Sequence, residues 1–423
     1  MNAPAVLTKV LTNLTLWDGT GATSRTGQEI HLGAHGRIDA VGAAGSIDRP
    51  DGAAVVDADG AVVLPGLINM HVHLGLALPG PMQELAKSSD DAARALLMAG
   101  NAAATLQAGV TTVRLVGEKD YLDFSLREAI ATGTVPGPRI YTAGHALCCT
   151  GGHGHDADGL EADGADGFRR TTREQLRAGA DLIKVCLTGG IAGEHEAIDT
   201  PQLTDEEMTA VITTAHDWGR KVTAHAGTAA VITRAVELGL DCVEHGYELT
   251  PEVCESMARH GCWYVPTITV SRCEQFFIDN GVPEWMRARA LAAGPRHWES
   301  LQHALTAGVR IAMGTDMPPQ ADYDGTTATV REMEFMAEAG MTDVDVLRSA
   351  TSWAAQWLDA EGTIGQIAPG AAADLILLDE DPTRGVSALR GMHAVIQAGR
   401  AVRDDRGLLR PLARTAAPTR TAP

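Results

Sequence analysis

The fold of this chain is decided by one stretch, Val62-Val63-Leu64-Pro65-Gly66-Leu67-Ile68-Asn69-Met70-His71-Val72-His73. A continuous apolar run of this kind is typical of a strand that is buried on both faces. His71 and His73 stand at its end, and side chains two apart on a strand point to the same side. Two convergent neutral imidazoles are a metal-ligand arrangement, although the pair alone fits an ordinary strand edge equally well.

A unit of helix, glycine and short apolar run recurs along the middle of the chain. Glycine commonly follows a helix because it adopts the left-handed conformation without a side-chain clash. The glycines are Gly109, Gly133, Gly179, Gly219, Gly239, Gly261 and Gly308. The runs that follow them are 111–115, 139–142, 182–185, 222–224, 242–244, 264–267 and 310–313. Together with 67–71, they predict eight strands.

Eight strands that alternate with helices predict an α/β fold with parallel strands and right-handed crossovers. Eight is the number that closes as a (β/α)8 TIM barrel. An open doubly wound sheet is the competing architecture, but no Gly-x-Gly-x-x-Gly follows the first strand, which disfavours its nucleotide-binding form. Thr204 and Glu207 predict a capping box at the start of one of the helices.

The two ends of the chain differ in character from the middle. Both hold short alternating runs separated by turn signals such as Asp18-Gly19 and Asp51-Gly52. We expect both ends to join one small β-sandwich domain. The predicted organisation is 1–60 for the N-terminal part of that domain, 61–362 for the metal-binding barrel, 363–406 for the C-terminal part, and 407–423 for an irregular tail.

Composition argues against several classes of function. The chain has 34 basic and 54 acidic residues, and its net charge of -20 would repel nucleic acid and anionic membranes. No apolar run reaches the length that spans a bilayer, and the first residues lack the features of a secretion signal. The seven cysteines, including the vicinal pair Cys148-Cys149, are expected to be structural thiols. We therefore predict a cytoplasmic protein with no nucleic-acid or membrane partner.

Polar residues close the predicted strands in an unusually consistent way. Chemistry in an eight-stranded barrel gathers at the C-terminal ends of the strands. The residues there are His71, His73, Lys184, His225, His245 and Asp316. A single histidine is more often a hydrogen-bonded core residue, and a single aspartate is commonly a helix cap. Lys184, between Ile183 and Val185, would be costly in a buried strand unless neutralised or paired. Their joint placement predicts a metal centre.

At these residues the chain resembles the amidohydrolase superfamily. The matching positions are 65–73, Lys184, His225, His245 and Gly314-Thr315-Asp316, and the similarity continues through 362–370 and 373–375. It therefore runs nearly from end to end. Two departures stand out: Asn69 occupies a position where the family usually has aspartate, and Leu115 occupies one where related sequences often have aspartate.

The resemblance implies two divalent metal ions, expected to be zinc. The implied ligands are His71, His73 and Asp316 for one ion and His225 and His245 for the other. Lys184 would carry a carbamate, formed with carbon dioxide, that bridges both ions. Superfamily deaminases generally use one metal and lack this lysine, so Lys184 favours hydrolysis. The implied mechanism uses a hydroxide shared by the two ions, with Asp316 as general base and then general acid.

Substrate choice is expected to come from the loops. The most informative is Cys149-Thr150-Gly151-Gly152-His153-Gly154-His155, since its glycines let the backbone bring a histidine close to a ligand. With Tyr247, this loop resembles the branch that contains Xaa-Pro dipeptidases, related carboxypeptidases and ochratoxin-hydrolysing amidases. That branch implies contact with the terminal carboxylate of the substrate by His153 and Tyr247, and less directly by His155 or His145.

The sequence thus predicts a dizinc amidohydrolase. Its expected partner is a small-molecule amide in which the cleaved bond leads to a C-terminal amino acid: a dipeptide, an N-acyl amino acid or an ochratoxin-like amide. Two alternatives stay open, a cyclic-amide hydrolase or deaminase on the same barrel and a catalytically silent scaffold barrel. The resemblance also implies a homo-oligomer.

Overall fold

The structure is a computed structural model and describes residues 9–319 and 328–412. The first residues, considered for a secretion signal, and residues 413–423 of the predicted tail lie outside the described residues. Two compact units make up the chain. One comprises Met1–Ile68, Gly109–Thr111 and Asp343–Pro423, and the other comprises Asn69–Ala108 and Thr112–Thr342. The domain boundaries that the sequence predicts remain a prediction.

The described strands and helices are numbered in chain order. The strands are β1 Lys9–Leu16, β2 Arg25–Leu32, β3 Ile38–Ala43, β4 Ala54–Asp57, β5 Val62–Pro65, β6 Leu67–Val72, β7 Val110–Leu115, β8 Arg139–Thr142, β9 Ala146–Cys148, β10 Gly159–Glu161, β11 Ile183–Cys186, β12 Val222–Ala226, β13 Cys242–His245, β14 Trp263–Val265, β15 Leu375–Leu378, β16 Met392–Gln397 and β17 Arg400–Asp404. The helices are α1 Pro81–Ser88, α2 Asp91–Gln107, α3 Leu122–Ala131, α4 Gly164–Ala178, α5 Asp205–Asp217, α6 Ala229–Glu237, α7 Pro251–His260, α8 Glu274–Asp279, α9 Glu284–Ala307, α10 Thr329–Glu338, α11 Asp343–Ser349 and α12 Ser352–Trp357.

The first unit is built on one sheet with strands from both ends of the chain. Its order is β17-β16-β15-β5-β1-β2-β3, and β4 also pairs with β1. β5 pairs antiparallel with β15, with Leu375 opposite Pro65, and parallel with β1. Apolar side chains from these strands, such as Leu14, Ile30 and Leu377, form one buried cluster. A second layer that would make this sheet a β-sandwich remains a prediction.

Parallel strands dominate the second unit and bring the strand ends together. One sheet has the order β10-β9-β11-β12-β13-β14, and a second has the order β6-β7-β8. Ile183 lies opposite Val222, and Thr223 lies opposite Cys242. Because the strands run parallel and nearly in step, their C-terminal ends lie at one edge, as the sequence predicts.

The eighth predicted strand, 310–313, is reduced to a single bridge between Tyr264 and Ile311. Directly after it, a Cβ at Gly314 would overlap with Val265 and His71, so glycine allows the close approach of these segments. Backbone bonds still join this segment to its neighbours on both sides: Ala312 N to Tyr264 O is 3.0 Å, and Met70 N to Met313 O is 2.8 Å. The ladders within residues 9–319 and 328–412 do not form one continuous closed sheet, so the complete (β/α)8 ring remains a prediction.

Two strands were not predicted. β9 and β10 pair parallel with each other, and β9 also pairs with β11, where Ala146 lies opposite Lys184. These short strands hold both ends of the loop that carries the candidate substrate residues. Sequence pattern did not reveal them, because three residues are too few to show a period.

The local signals for helix ends are confirmed. All seven punctuating glycines have positive φ, from 67° at Gly219 to 100° at Gly179 and Gly239. The Thr204 side chain accepts from Glu207 N, and the Glu207 side chain accepts from Thr204 N, which completes the capping box. All seven cysteines are free thiols, as the sequence predicts. No helix in the described part of the chain is long and apolar enough to cross a membrane.

Replacement of the capping threonine tests the start of α5. Thr204→Ala should lower the free energy of unfolding by about 1 kcal/mol, because the amide of Glu207 loses its acceptor at the helix N-terminus. Thr213→Ala, at an exposed position on the same helix, is the control and should change it by less than about 0.5 kcal/mol. Urea denaturation gives both values. Equal effects of the two substitutions would show that the capping box contributes nothing particular.

Candidate metal centre and substrate loop

The candidate ligands converge at the C-terminal ends of the parallel strands. His71 lies on β6, Lys184 on β11, His225 on β12 and His245 on β13, and all four are buried. Ring centroids are 4.9 Å apart for His71 and His245 and 4.6 Å apart for His225 and His245. The potential ligand atoms of His71, His245 and Asp316 all lie within 4.8 Å of one another. The described structure therefore forms a compact donor cluster.

Three residues at or shortly after the C-terminal ends of the strands have a strained backbone. His245, Thr267 and Asp316 have φ values of 65°, 52° and 51°, in the left-handed region that residues with a Cβ rarely adopt. Such conformations cost on the order of 1–3 kcal/mol each and persist only where the surroundings impose them. Two of the three residues are candidate metal ligands. Backbone strain is thus found at residues that carry or adjoin the candidate metal ligands.

His71 is oriented by a buried carboxylate. Its Nδ1 donates to Glu244 Oε2 at 2.7 Å, which leaves Nε2 on the side of Asp316, 3.4 Å from Oδ1. Glu244 also accepts from Arg114 and from the Thr223 hydroxyl. Burial works to raise the pKa of Glu244, but Arg114 and His71 outweigh it and hold that pKa far below its usual range. A carboxylate behind a histidine is the usual support of a metal-binding imidazole.

His73, like His71, uses Nδ1 for a hydrogen bond to the protein and leaves Nε2 on the side of Asp316. Its Nδ1 donates to Gly117 O at 2.7 Å, and its Nε2 lies 3.6 Å from Asp316 Oδ1. Asp158 lies 3.3 Å from the same Nδ1. Burial works to lower the pKa of His73, but Asp158 and Asp316 raise it to about 9. Binding of a dication at Nε2 would therefore displace a proton at neutral pH.

His225 and His245 are held as neutral donors. Burial lowers both pKa values well below the usual range, and Lys184 adds to the effect at each. His225 Nε2 donates to Gly189 O at 3.1 Å, and His245 Nδ1 lies 2.7 Å from Thr267 Oγ1. Each ring therefore keeps one nitrogen for a metal ion.

Lys184 is a buried amine without a counter-charge in direct contact. Within the described residues its side chain makes no hydrogen bond or ion pair, although only 3% of the residue is exposed. Its positive charge lowers the pKa values of Asp316, His225 and His245. Lys184 therefore interacts electrostatically with these three residues. An isolated ammonium in such a place is costly.

The two departures from the family pattern leave the centre intact. Asn69 Nδ2 donates to Thr315 Oγ1 at 2.9 Å, and Asn69 Oδ1 accepts from the backbone of His71 at 3.1 Å and of Thr315 at 3.2 Å. This amide thus ties the end of β6 to the segment that carries Asp316. Leu115 is fully buried and packs in the core.

Two of the candidate substrate residues lie against the donor cluster. The His153 ring stacks on His225 with centroids 4.1 Å apart, and the Tyr247 ring stacks on His245 at 5.4 Å and an angle of 6°. His155 is exposed and donates to Gly152 O within its own loop at 2.9 Å. His145 bonds the backbone of the same loop and not the cluster.

The sequence did not identify the residues that support this site. They are Arg114, Asp158, Glu196 and Glu244. One signal was present: Arg114 and Glu244 are opposite charges inside two apolar strand runs, where each would be costly alone. Asp158 and Glu196 stand in polar loops and gave no such signal.

Comparison with known proteins agrees with the donor set. The model of the amidohydrolase family matches residues 62–402. The chain belongs to the amidohydrolase family. It is a hydrolase of amide bonds, as the sequence predicts, and it shares the TIM-barrel-like α/β fold of that family. Divalent metals are generally bound by its members, in keeping with the His71, His245 and Asp316 group.

Three named relatives illustrate the similarity. Ochratoxinase of Aspergillus niger is 30% identical over 370 residues, which cover 79% of this chain and 73% of that protein. The structure of an Xaa-Pro dipeptidase with bound methionine superposes with a TM-score of 0.82 at 32% identity, and covers 93% of this chain and 99% of that one. A prolidase complexed with N-methylphosphonate-L-proline gives a TM-score of 0.86 at 29% identity, with coverages of 94% and 100%. The predicted branch is thereby confirmed.

Removal of the charge behind His71 tests its orienting role. Glu244→Gln should weaken divalent metal binding about 10- to 100-fold, because His71 Nδ1 loses the charged acceptor that fixes the tautomer of the imidazole. Glu248→Gln removes the same charge from a surface ion pair with Arg296 and should leave binding unchanged. Zinc affinity is measured by competition with a chelator, on variants shown to be folded by circular dichroism. Unchanged affinity in folded Glu244→Gln would contradict the assigned role.

Proposed function

We propose that this chain is a dizinc amidohydrolase that cleaves the amide bond to a C-terminal amino acid in dipeptides, N-acyl amino acids or ochratoxin-like amides. The observation that carries the proposal is the stacking of His153 on His225 and of Tyr247 on His245, since it puts polar side chains of substrate loops beside the donor cluster. Methionine and the proline moiety, bound in the two related structures, are both amino acids with a free carboxylate.

The donor set fits two divalent cations. One would be held by His71, His73 and Asp316, the other by His225 and His245, with carboxylated Lys184 common to both. The neutral state of His225 and His245 supports this fit, and so does the lack of a counter-charge on Lys184 among residues 9–319 and 328–412. When bound, the cations supply Lewis acidity, which polarises the amide carbonyl and lowers the pKa of a water molecule.

Lys184 would become a metal ligand by reaction of its amine with carbon dioxide. The neutral amine attacks the carbon of carbon dioxide, a nitrogen–carbon bond forms, and one proton leaves to solvent. One carbon–oxygen π bond opens, and the product is a carbamate anion in place of the neutral amine. The side chain is buried beside the donor cluster, where the carbamate would lie close to both cations.

Asp316 is placed to hold and move a proton. Burial works to raise its pKa, but His71, His73 and Lys184 lower it more, so the carboxylate is ionised. It accepts a proton from the attacking water and passes it to the amide nitrogen as the carbon–nitrogen bond breaks. His153 and Tyr247 bind the carboxylate of the leaving amino acid and so fix the scissile bond relative to Asp316.

A substrate panel tests the proposed specificity. Purified protein with about two zinc ions per chain should hydrolyse at least one of Ala-Pro, N-acetyl-L-methionine and ochratoxin A, and should be much slower on cyclic amides and on aminopurines. Release of the free amino acid is followed by chromatography. Intact amides after prolonged incubation, or faster turnover of a cyclic amide, would overturn the substrate assignment and favour the alternative on the same barrel.

Substitution of the proposed proton carrier tests the mechanism. Asp316→Asn should reduce kcat by at least about 10³-fold, because the amide cannot accept the proton of the attacking water. Asp217→Asn, at an exposed position, removes an equal charge and should leave kcat within about twofold. Wild-type activity in Asp316→Asn would remove this residue from the mechanism. A wild type without activity on any amide would favour the silent scaffold.

A cytoplasmic location and a homo-oligomeric state belong to the same proposal. They are supported by the resemblance to the family and by the composition described above. Sedimentation of the purified protein measures the subunit number directly.

A further inference from the structure

His153 is held in a closed ring of hydrogen bonds. Its Nδ1 donates to Glu196 Oε1 at 2.5 Å, and Gln202 Nε2 donates to Glu196 Oε2 at 3.0 Å. Gln202 Oε1 accepts the backbone N–H of His153 at 3.0 Å and closes the ring. Both the backbone and the imidazole plane of His153 are therefore fixed by the same pair of side chains.

The loop that carries Glu196 is itself held in place. Arg289 donates hydrogen bonds to four backbone carbonyls within residues 190–194. A side chain at Gly190 would overlap with the His153 ring, so the backbone approaches this ring only because glycine stands there. Glu196 thus reaches His153 from a rigid support, which is the condition for precise orientation of a binding group.

The remaining nitrogen of His153, Nε2, is not used by the hydrogen-bond ring. Carboxylate oxygens only accept hydrogen bonds, so Nδ1 carries its hydrogen on the Glu196 side. Nε2 makes no hydrogen bond to any residue in 9–319 or 328–412, and the side chain keeps 19% of its surface exposed.

We infer that Glu196 is a positioning residue for substrate selection: it fixes the orientation in which His153 contacts the free carboxylate of the substrate's C-terminal amino acid. The inference rests on the proposed function and deepens it. Glu196 acts through His153 and touches no reacting atom. Its loss should therefore weaken binding of carboxylate substrates and leave the bond-breaking step nearly unchanged, because the contact is the same before and during reaction.

The test compares Glu196→Gln on two substrates that differ only in the carboxylate. N-acetyl-L-methionine has the free acid, and N-acetyl-L-methioninol has an alcohol in its place. Glu196→Gln should raise KM for the acid about 10-fold with kcat within about threefold, and should leave kcat/KM for the alcohol within about twofold. Binding of L-methionine, measured by calorimetry, should weaken by a similar factor and does not depend on turnover.

Two further variants serve as controls. Glu194→Gln removes an equal charge from an exposed side chain in the same loop and should leave every value unchanged. Glu196→Asp keeps the carboxylate and should recover part of the selectivity. An equal loss on acid and alcohol would show a merely structural role, and an unchanged KM for the acid in folded Glu196→Gln would contradict the inference.

Failure of carboxylate recognition and failure of the Glu196 role give different experimental results. A wild type that turns over the acid and the alcohol equally, and binds no L-methionine, would remove carboxylate recognition itself and the role of Glu196 with it. A wild type that prefers the acid, combined with a Glu196→Gln variant of the same preference, would remove the role of Glu196 alone.

Discussion

The carboxylate of Glu244 is the interaction on which the rest of the centre depends. It is fully buried, and it accepts from Arg114, from Thr223 and from His71, which lie on three other strands. A buried charge of this kind is tolerable only when its partners are all in place, and removal of one leaves the others uncompensated. The position of the His71 imidazole is consequently set by the sheet and not by a loop.

This arrangement separates two tasks within one unit of the chain. Four of the proposed metal donors, His71, Lys184, His225 and His245, lie on strands whose register is fixed by backbone pairing, so their geometry resists change. The proposed substrate contacts come from loops, such as the one with His153, whose orientation is fixed by side-chain hydrogen bonds. Relatives of one fold can thereby keep the same chemistry while their substrates differ.

Much of this could be predicted from sequence because the signals are local. Alternation of apolar runs with glycine-terminated helices gave the order of the strands, and six polar residues at run ends gave the candidate donors. The sequence could not show that 310–313 forms only a bridge, because the extent of pairing between distant segments leaves no local signal. It also could not pair Glu244 with His71 or Glu196 with His153, since hydrogen bonds between distant residues leave no period in the sequence.

Diffraction from zinc-loaded crystals above and below the zinc absorption edge tests the central claim most directly. Two strong anomalous peaks are expected at the C-terminal ends of the strands. One should lie among His71, His73 and Asp316, the other beside His225 and His245, with density extending from Lys184 Nζ between them. Zinc found only elsewhere, or a single ion with an unmodified lysine, would contradict a two-metal centre on this chain.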